Sequence, residues 1–98
     1  MIININKKQY NNKITFDVSG KLDIETAHEL EEELIKNVSE TNELVLNFRD
    51  LNYISSAGIR IVLKSQEQGK LIVKNLNEHI MDALKTTKVA EQLKLNIY

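Results

Sequence analysis

Short β-type runs alternate with segments of helical periodicity, and this alternation restricts the chain to the α/β class. Residues 44–48 and 71–73 are short and nearly continuous apolar runs, typical of strands that are covered on both faces of a sheet. Around them, apolar residues recur every three or four positions in residues 27–38, 59–63 and 80–84, which is the period of helices that bury one face. Such alternation predicts parallel strand pairing through right-handed crossovers.

The N-terminal segment predicts an antiparallel β-hairpin. Apolar residues alternate with polar ones in residues 3–5 and 14–18, on either side of the pair Asn11-Asn12. Asparagine tolerates the positive φ angles that tight hairpin turns require. We expect Gly20 to end the second strand.

Three further residues mark the expected helix boundaries. Thr26, with Glu29 three positions later, matches a capping box for the first helix, and Asp23 is an equally good cap one turn earlier. Gly69 suits the position just after the second helix, and Asn77 can cap the third. The predicted element order is therefore β-β-α-β-α-β-α-(β), in one domain over residues 1–98, with a mixed and mostly parallel sheet.

Composition excludes several classes of function. A net charge of −1 argues against a nucleic-acid-binding protein or an electrostatic membrane ligand, since either would carry a basic excess. The absence of cysteine excludes disulfides and thiolate metal sites. The first eight residues lack the continuous apolar run of a secretory signal, and no stretch approaches the roughly 18 apolar residues of a membrane span. We expect a cytoplasmic protein without membrane insertion.

The turn that precedes the second helix carries the strongest functional signal. It contains Ser55, Ser56, Ala57 and Gly58, so two hydroxyls and two small residues lie at the positive end of a helix. Backbone N–H groups there have no intrahelical partners, and the dipole adds about half a positive charge. Such a position accepts an oxyanion, either bound or attached to the serine itself. Serine is also a preferred N-cap, so simple capping is the alternative role for both hydroxyls.

The usual signatures of an enzyme are missing. His28 and His79 fall on separate helices among polar neighbours, which is typical of solvent-exposed residues. The chain has no phosphate-loop pattern, no Gly-x-Gly-x-x-Gly and no Gly-x-Ser-x-Gly. A nucleophilic serine also needs an adjacent base, and neither histidine is placed to provide one. We expect no catalytic residue, no metal and no cofactor, and therefore a binding module.

The element order, residues 20–23 and residues 52–60 resemble the STAS domain family, and more closely its free-standing bacterial anti-sigma-factor antagonists. The resemblance extends over essentially the whole chain, and the serine turn is its most specific part. It implies a small sheet with helices mainly on one side. It also implies a partner switch, in which the unphosphorylated protein binds a serine kinase that is also an anti-sigma factor. This binding releases the sigma factor, phosphorylation breaks the complex, and a metal-dependent serine phosphatase restores it.

The resemblance also suggests which residues form the site. The family's Asp-Ser-Ser-Gly falls on residues 55–58, so the implied phosphoacceptor is Ser56, with Ser55 as the alternative. The chain departs from the family at Ser55 and Asn47, where relatives often have Asp, and at Ala57, which replaces the second serine. The partner surface is predicted to comprise Asp23, Ile24, Glu25, Thr26, Ser55, Ser56, Ala57, Gly58 and Arg60. The alternative function is a non-phosphorylated STAS interaction subunit of a larger transporter or sensory complex, in which both serines only cap the helix.

Overall fold

A computed structural model describes residues 3–41, 43–66 and 71–86. The predicted position of Gly69 lies outside these residues, and so does the last strand of the predicted order, which is expected at Leu95 and Ile97. The strands are β1 (Ile3–Tyr10), β2 (Lys13–Leu22), β3 (Glu43–Asn47), β4 (Leu51–Ile54) and β5 (Leu71–Lys74). The helices are α1 (Thr26–Asn37), which continues into a short 3₁₀ turn at Val38–Glu40, α2 (Ser56–Gln66) and α3 (Glu78–Thr86).

The five strands form one mixed sheet, which confirms the predicted fold class. The strand order is β1-β2-β3-β5, and β4 also pairs with β2. β1 and β2 are antiparallel, whereas β3 and β4 are both parallel to β2, and β5 is parallel to β3. The hairpin turn adopts a positive φ of 54° at Asn11, as the Asn-Asn pair predicts.

Strand β4 is missing from the predicted order, where its residues are assigned to a loop. It continues the sheet beyond β3, because β3 pairs with the first half of β2 and β4 with its end. The prediction that Gly20 ends β2 is wrong, since the strand runs on to Leu22. Gly20 instead lies at an irregularity in the β2–β4 register and has a φ of 97°, a conformation that glycine adopts without steric cost.

One face of the sheet and the apolar faces of all three helices form a single core. Phe16 and Leu46 contribute from neighbouring strands, and Leu30, Ile59 and Ile80 contribute from α1, α2 and α3. The helices of the described residues therefore cover the same side of the sheet. The opposite side carries an ion pair and hydrogen bonds among Lys8, Asp17, Asn47 and Asn75, and Val45 is buried on it.

The hydrogen bonds at the starts of α1 and α3 show which residues cap these helices. The Oδ1 atom of Asp23 accepts a hydrogen bond from the backbone N–H of Thr26 at 2.9 Å, so Asp23 caps α1 and the Thr26–Glu29 capping box is wrong. The side chain of Asn77 accepts from the N–H of Ile80 at 2.9 Å and donates to the carbonyl oxygen of Leu51 at 2.8 Å. The predicted Asn77 cap is confirmed, and it also joins α3 to the start of β4.

Candidate functional site

A backbone hydrogen bond brings the two predicted halves of the site together. The N–H of Ser55 donates to the carbonyl oxygen of Leu22 at 2.8 Å, which extends the parallel pairing of β2 and β4 by one residue. Asp23 follows Leu22 directly, and Ser56 follows Ser55. The turn that leads into α1 and the turn that leads into α2 therefore lie side by side at the carboxyl ends of their strands.

Ser55 is the N-cap of α2. Its half-buried hydroxyl oxygen accepts a hydrogen bond from the N–H of Gly58 at 3.3 Å, and its carbonyl oxygen accepts from the N–H of Ile59 at 2.9 Å. This is the geometry of a capping serine, which satisfies one of the unpaired N–H groups of the first turn. Both polar groups of its backbone and its side-chain oxygen are thus engaged within the protein.

Ser56 differs from Ser55 in its environment. It is the first residue of α2 and is exposed to solvent. Its hydroxyl forms no hydrogen bond with any part of the chain that the structure describes. Of the two serines, Ser56 therefore has the hydroxyl that is free to react with or contact another molecule. Its role as phosphoacceptor remains a prediction.

Gly58 allows α2 to approach the sheet closely. A Cβ atom built on Gly58 would lie 2.9 Å from Cγ of Leu22 and 3.0 Å from Cγ1 of Ile54. Both distances are too short for ordinary carbon contacts. The glycine of the Ser-Ser-Ala-Gly turn thus has a packing role, because any side chain at this position would have to displace Leu22 and Ile54.

The Asp23 turn is rigidly held by its own side chains. Asp23 Oδ1 accepts hydrogen bonds from the N–H of Thr26 at 2.9 Å and of Glu25 at 3.0 Å. The Thr26 hydroxyl donates to the carbonyl oxygen of Lys21 at 2.7 Å and accepts from the N–H of Asp23 at 2.8 Å. The bond from the Thr26 N–H is the main cause that holds the pKa of Asp23 below its ordinary value. Asp23 therefore carries a fixed negative charge beside the serine turn.

The predicted site residues differ in their exposure to solvent. Thr26 is only 3% exposed and Gly58 is buried, so both lie beneath the surface and hold its two turns. Asp23, Ser55 and Ala57 are half-buried, whereas the exposed residues are Ile24, Glu25, Ser56 and Arg60. Each residue's contact with a partner remains a prediction.

Two exposed apolar side chains lie near these turns. Ile24 is 69% exposed, although an isoleucine normally gains from burial. Tyr53 is 44% exposed and pairs across the β2–β4 ladder with Lys21. Sequence reasoning did not include Tyr53 in the site. The available signal is a large aromatic residue in the segment that directly precedes the serine turn.

The described residues show neither a metal site nor a membrane span. No three of their His, Asp or Glu side chains come close enough together to hold a metal ion, and His28 and His79 are both exposed, as predicted. None of the helices in these residues is long and apolar enough to cross a membrane.

Comparison with known proteins agrees with this geometry. The model of the STAS domain family matches residues 4–98. The anti-sigma-B factor antagonist of Bacillus subtilis (strain 168) is 27% identical over 86 residues, which cover 83% of this chain and 79% of that protein.

Solved structures show the same fold at lower sequence identity. An anti-sigma factor antagonist from Mycobacterium paratuberculosis superposes with a TM-score of 0.83 at 19% identity, and the match covers 96% of this chain and 85% of the other. The Bacillus cell fate determinant SpoIIAA in its phosphorylated form superposes with a TM-score of 0.71 at 13% identity, over 97% of this chain and 91% of the other.

Proposed function

The chain belongs to the STAS domain family, and on that basis we propose that it is an anti-sigma factor antagonist switched by phosphorylation of Ser56. In its unphosphorylated form it binds a serine kinase that is also an anti-sigma factor, and this releases a sigma factor or another effector. A metal-dependent serine phosphatase reverses the modification. The chain is thus a binding regulator rather than an enzyme, and it acts in the cytoplasm, where the ATP of a kinase is available.

One observation carries the proposal: at the first position of α2, Ser56 has an exposed hydroxyl that is unpaired among the described residues, while the neighbouring Ser55 caps the helix. If serine served only as a cap at this turn, Ser55 alone would be sufficient. Two of the similar proteins support the same role, since one is named an anti-sigma-B factor antagonist and another is known in a phosphorylated form.

The physical effect of the modification follows from its position. A phosphate adds about −1.5 to −2 charges at pH 7. In the free protein, the N-terminus of α2 accommodates these charges and gains about 0.3–1 kcal/mol. In a complex, the same group is pressed against the partner and lies near the turn of the ionised Asp23.

A phosphate at this position is expected to reduce the affinity for the partner by a large factor. Like charges in an interface cost several kcal/mol. A cost of about 3–4 kcal/mol would weaken binding some hundreds-fold, since each ~1.4 kcal/mol is a factor of ten. Binding is therefore lost without a change of fold.

A capture experiment tests the proposal. Unmodified, Ser56→Ala and Ser56→Asp proteins serve as baits in a lysate of the native host, and mass spectrometry identifies the captured proteins. We expect a serine-kinase-like protein on the first two baits and not on the third. Ser55→Ala is the matched control, and we expect it to retain the partner. If Ser56→Asp captures the same partner equally well, Ser56 is not the switch, and the constitutive interaction subunit becomes the better description.

A further inference from the structure

Arg60 lies one helical turn beyond Ser56 on the exposed side of α2. Both residues are exposed, whereas Gly58, Ile59 and Ile61 between and beside them are buried. Residues four positions apart are neighbours on a helix surface. A side chain on a helix also leans towards the N-terminus and covers the preceding turn. An arginine side chain at position 60 can therefore reach a group that is attached to Ser56.

Arg60 forms no ion pair with any other residue that the structure describes. Two other cations on helix surfaces do form ion pairs. Lys64, one turn further along α2, lies 3.3 Å from a carboxylate oxygen of Glu31 on α1, and Lys36 lies 3.9 Å from Glu33 on its own helix. Arg60 is thus an available positive charge beside the hydroxyl that we assign as the phosphoacceptor.

We propose that Arg60 binds the phosphate of phosphorylated Ser56 within the same helix. This inference deepens the proposed function and rests on it. A guanidinium matches phosphate oxygens in a bidentate geometry, and an anion placed four residues before a cation is the favoured order on a helix. The side chain of Ala57, next to Ser56, is a single methyl group and adds little bulk beside the phosphate.

The pair gives phosphorylation a second effect on the partner surface. In the unmodified protein, the positive charge of Arg60 is exposed next to Ser56 and is free to meet a carboxylate of the partner. In the phosphorylated protein, Arg60 is engaged by the phosphate. The modification therefore adds negative charge at Ser56 and simultaneously withdraws a positive charge from the same surface.

The test installs phosphoserine at position 56 by genetic encoding and follows the phosphate by ³¹P NMR during a pH titration of the purified full chain. The second pKa of the phosphate, ordinarily about 6, is expected to be lower by about 0.15–0.4 units than in the Arg60→Gln variant. Arg60→Lys is expected to keep part of that difference. Raising the salt concentration to about 0.5 M is expected to reduce it, because exposed charges are screened.

Lys64→Gln is the matched control, since it removes the same charge from the same helix at about 6 Å further along the axis. It is expected to leave the phosphate pKa nearly unchanged. Equal phosphate pKa values with and without Arg60 would overturn the inference, and so would an equal shift in Lys64→Gln. Because the phosphate is installed directly, this result does not depend on whether the host contains a kinase, which the capture experiment decides separately.

Discussion

The backbone N–H of Ser55 donates a hydrogen bond to the carbonyl oxygen of Leu22 at 2.8 Å, and this bond joins two residues that are 33 positions apart in the sequence. It places the rigid Asp23 turn beside the exposed hydroxyl of Ser56. The surface that we assign to partner binding therefore depends on β4, whose residues continue the pairing to the end of β2.

The two serines of the turn are expected to differ in their effect on stability. Ser55→Ala removes the cap of α2 and is expected to cost about 0.5–2 kcal/mol of unfolding free energy. Ser56→Ala removes an exposed and unpaired hydroxyl, and is expected to change it by less than about 0.5 kcal/mol. Urea unfolding of both variants measures the difference. An equal loss in the two variants would show that Ser56 also has a structural role.

Gly58→Ala tests the close approach of α2 to the sheet. The added methyl group would overlap Leu22 and Ile54, and overpacking of this kind costs about 1–3 kcal/mol. The better helix propensity of alanine offsets about 1 kcal/mol of that loss. We therefore expect a net decrease in the free energy of unfolding, measured by urea denaturation.

A double-mutant cycle provides the control for Gly58→Ala. In a Leu22→Ala background, two of the three atoms that the methyl group would meet are absent, so Gly58→Ala is expected to cost less there than in the parent protein. A Gly58→Ala substitution that costs as much in the Leu22→Ala background as in the parent protein would contradict the packing described for this turn.

The ion pair on the face of the sheet opposite the helices predicts that stability depends on pH. Lys8 Nζ lies 2.9 Å from Asp17 Oδ2, and its hydrogen bond is the main cause that lowers the pKa of Asp17 below its ordinary value. A lowered pKa in the folded state gives stability that is present above the unfolded pKa of about 3.9 and is lost as the pH falls through the folded value.

Asp17→Asn measures this contribution. At pH 7 the variant is expected to be less stable than the parent by about 0.5–1 kcal/mol, the upper range for a surface pair. The gap is expected to close as the pH falls below about 4. Glu43→Gln is a suitable comparison with a smaller expected effect, because Glu43 Oε1 lies 3.9 Å from Lys13 Nζ. A gap that persists undiminished at low pH would contradict the assignment to Asp17 ionisation.

Ile24 is expected to be an anchor of the partner interface, since it is 69% exposed beside the serine turn. Ile24→Ala is expected to weaken binding of the captured kinase-like partner at least tenfold, which corresponds to about 1.4 kcal/mol. Ile35→Ala is the matched control, because Ile35 is also an isoleucine, is 62% exposed and lies in α1, away from this turn. Calorimetry on both variants tests the prediction, and equal weakening would argue against a specific anchor.

Strong periodicity made most of the fold predictable from the sequence. The hairpin, the three helices and the alternating strands all show the spacing of apolar residues that their burial requires. Strand β4 was missed because only Leu51 and Ile54 at its two ends are buried, so its four residues show no alternation of period two. Its existence depends on pairing with β2, which is a tertiary interaction that local pattern does not encode.

The position of the candidate site was predictable from the sequence, but the roles of its two serines were not. The sequence placed a serine at the start of α2, but it did not distinguish the capping serine from the free one. That distinction depends on where the helix begins, and β4 sets this position by ending at Ile54. Tyr53 is absent from the predicted site because β4, the strand that carries it, is absent from the predicted order, whereas Ile24 is part of the predicted partner surface.

The most direct test of the proposed switch is the affinity of the purified kinase-like partner for the unmodified chain and for the chain with phosphoserine at position 56. Both proteins have the same sequence and the same expected fold, so the phosphate is the only difference between them. We expect the dissociation constant to rise some hundreds-fold on phosphorylation. Equal affinity for the two forms would contradict a phosphorylation switch at Ser56.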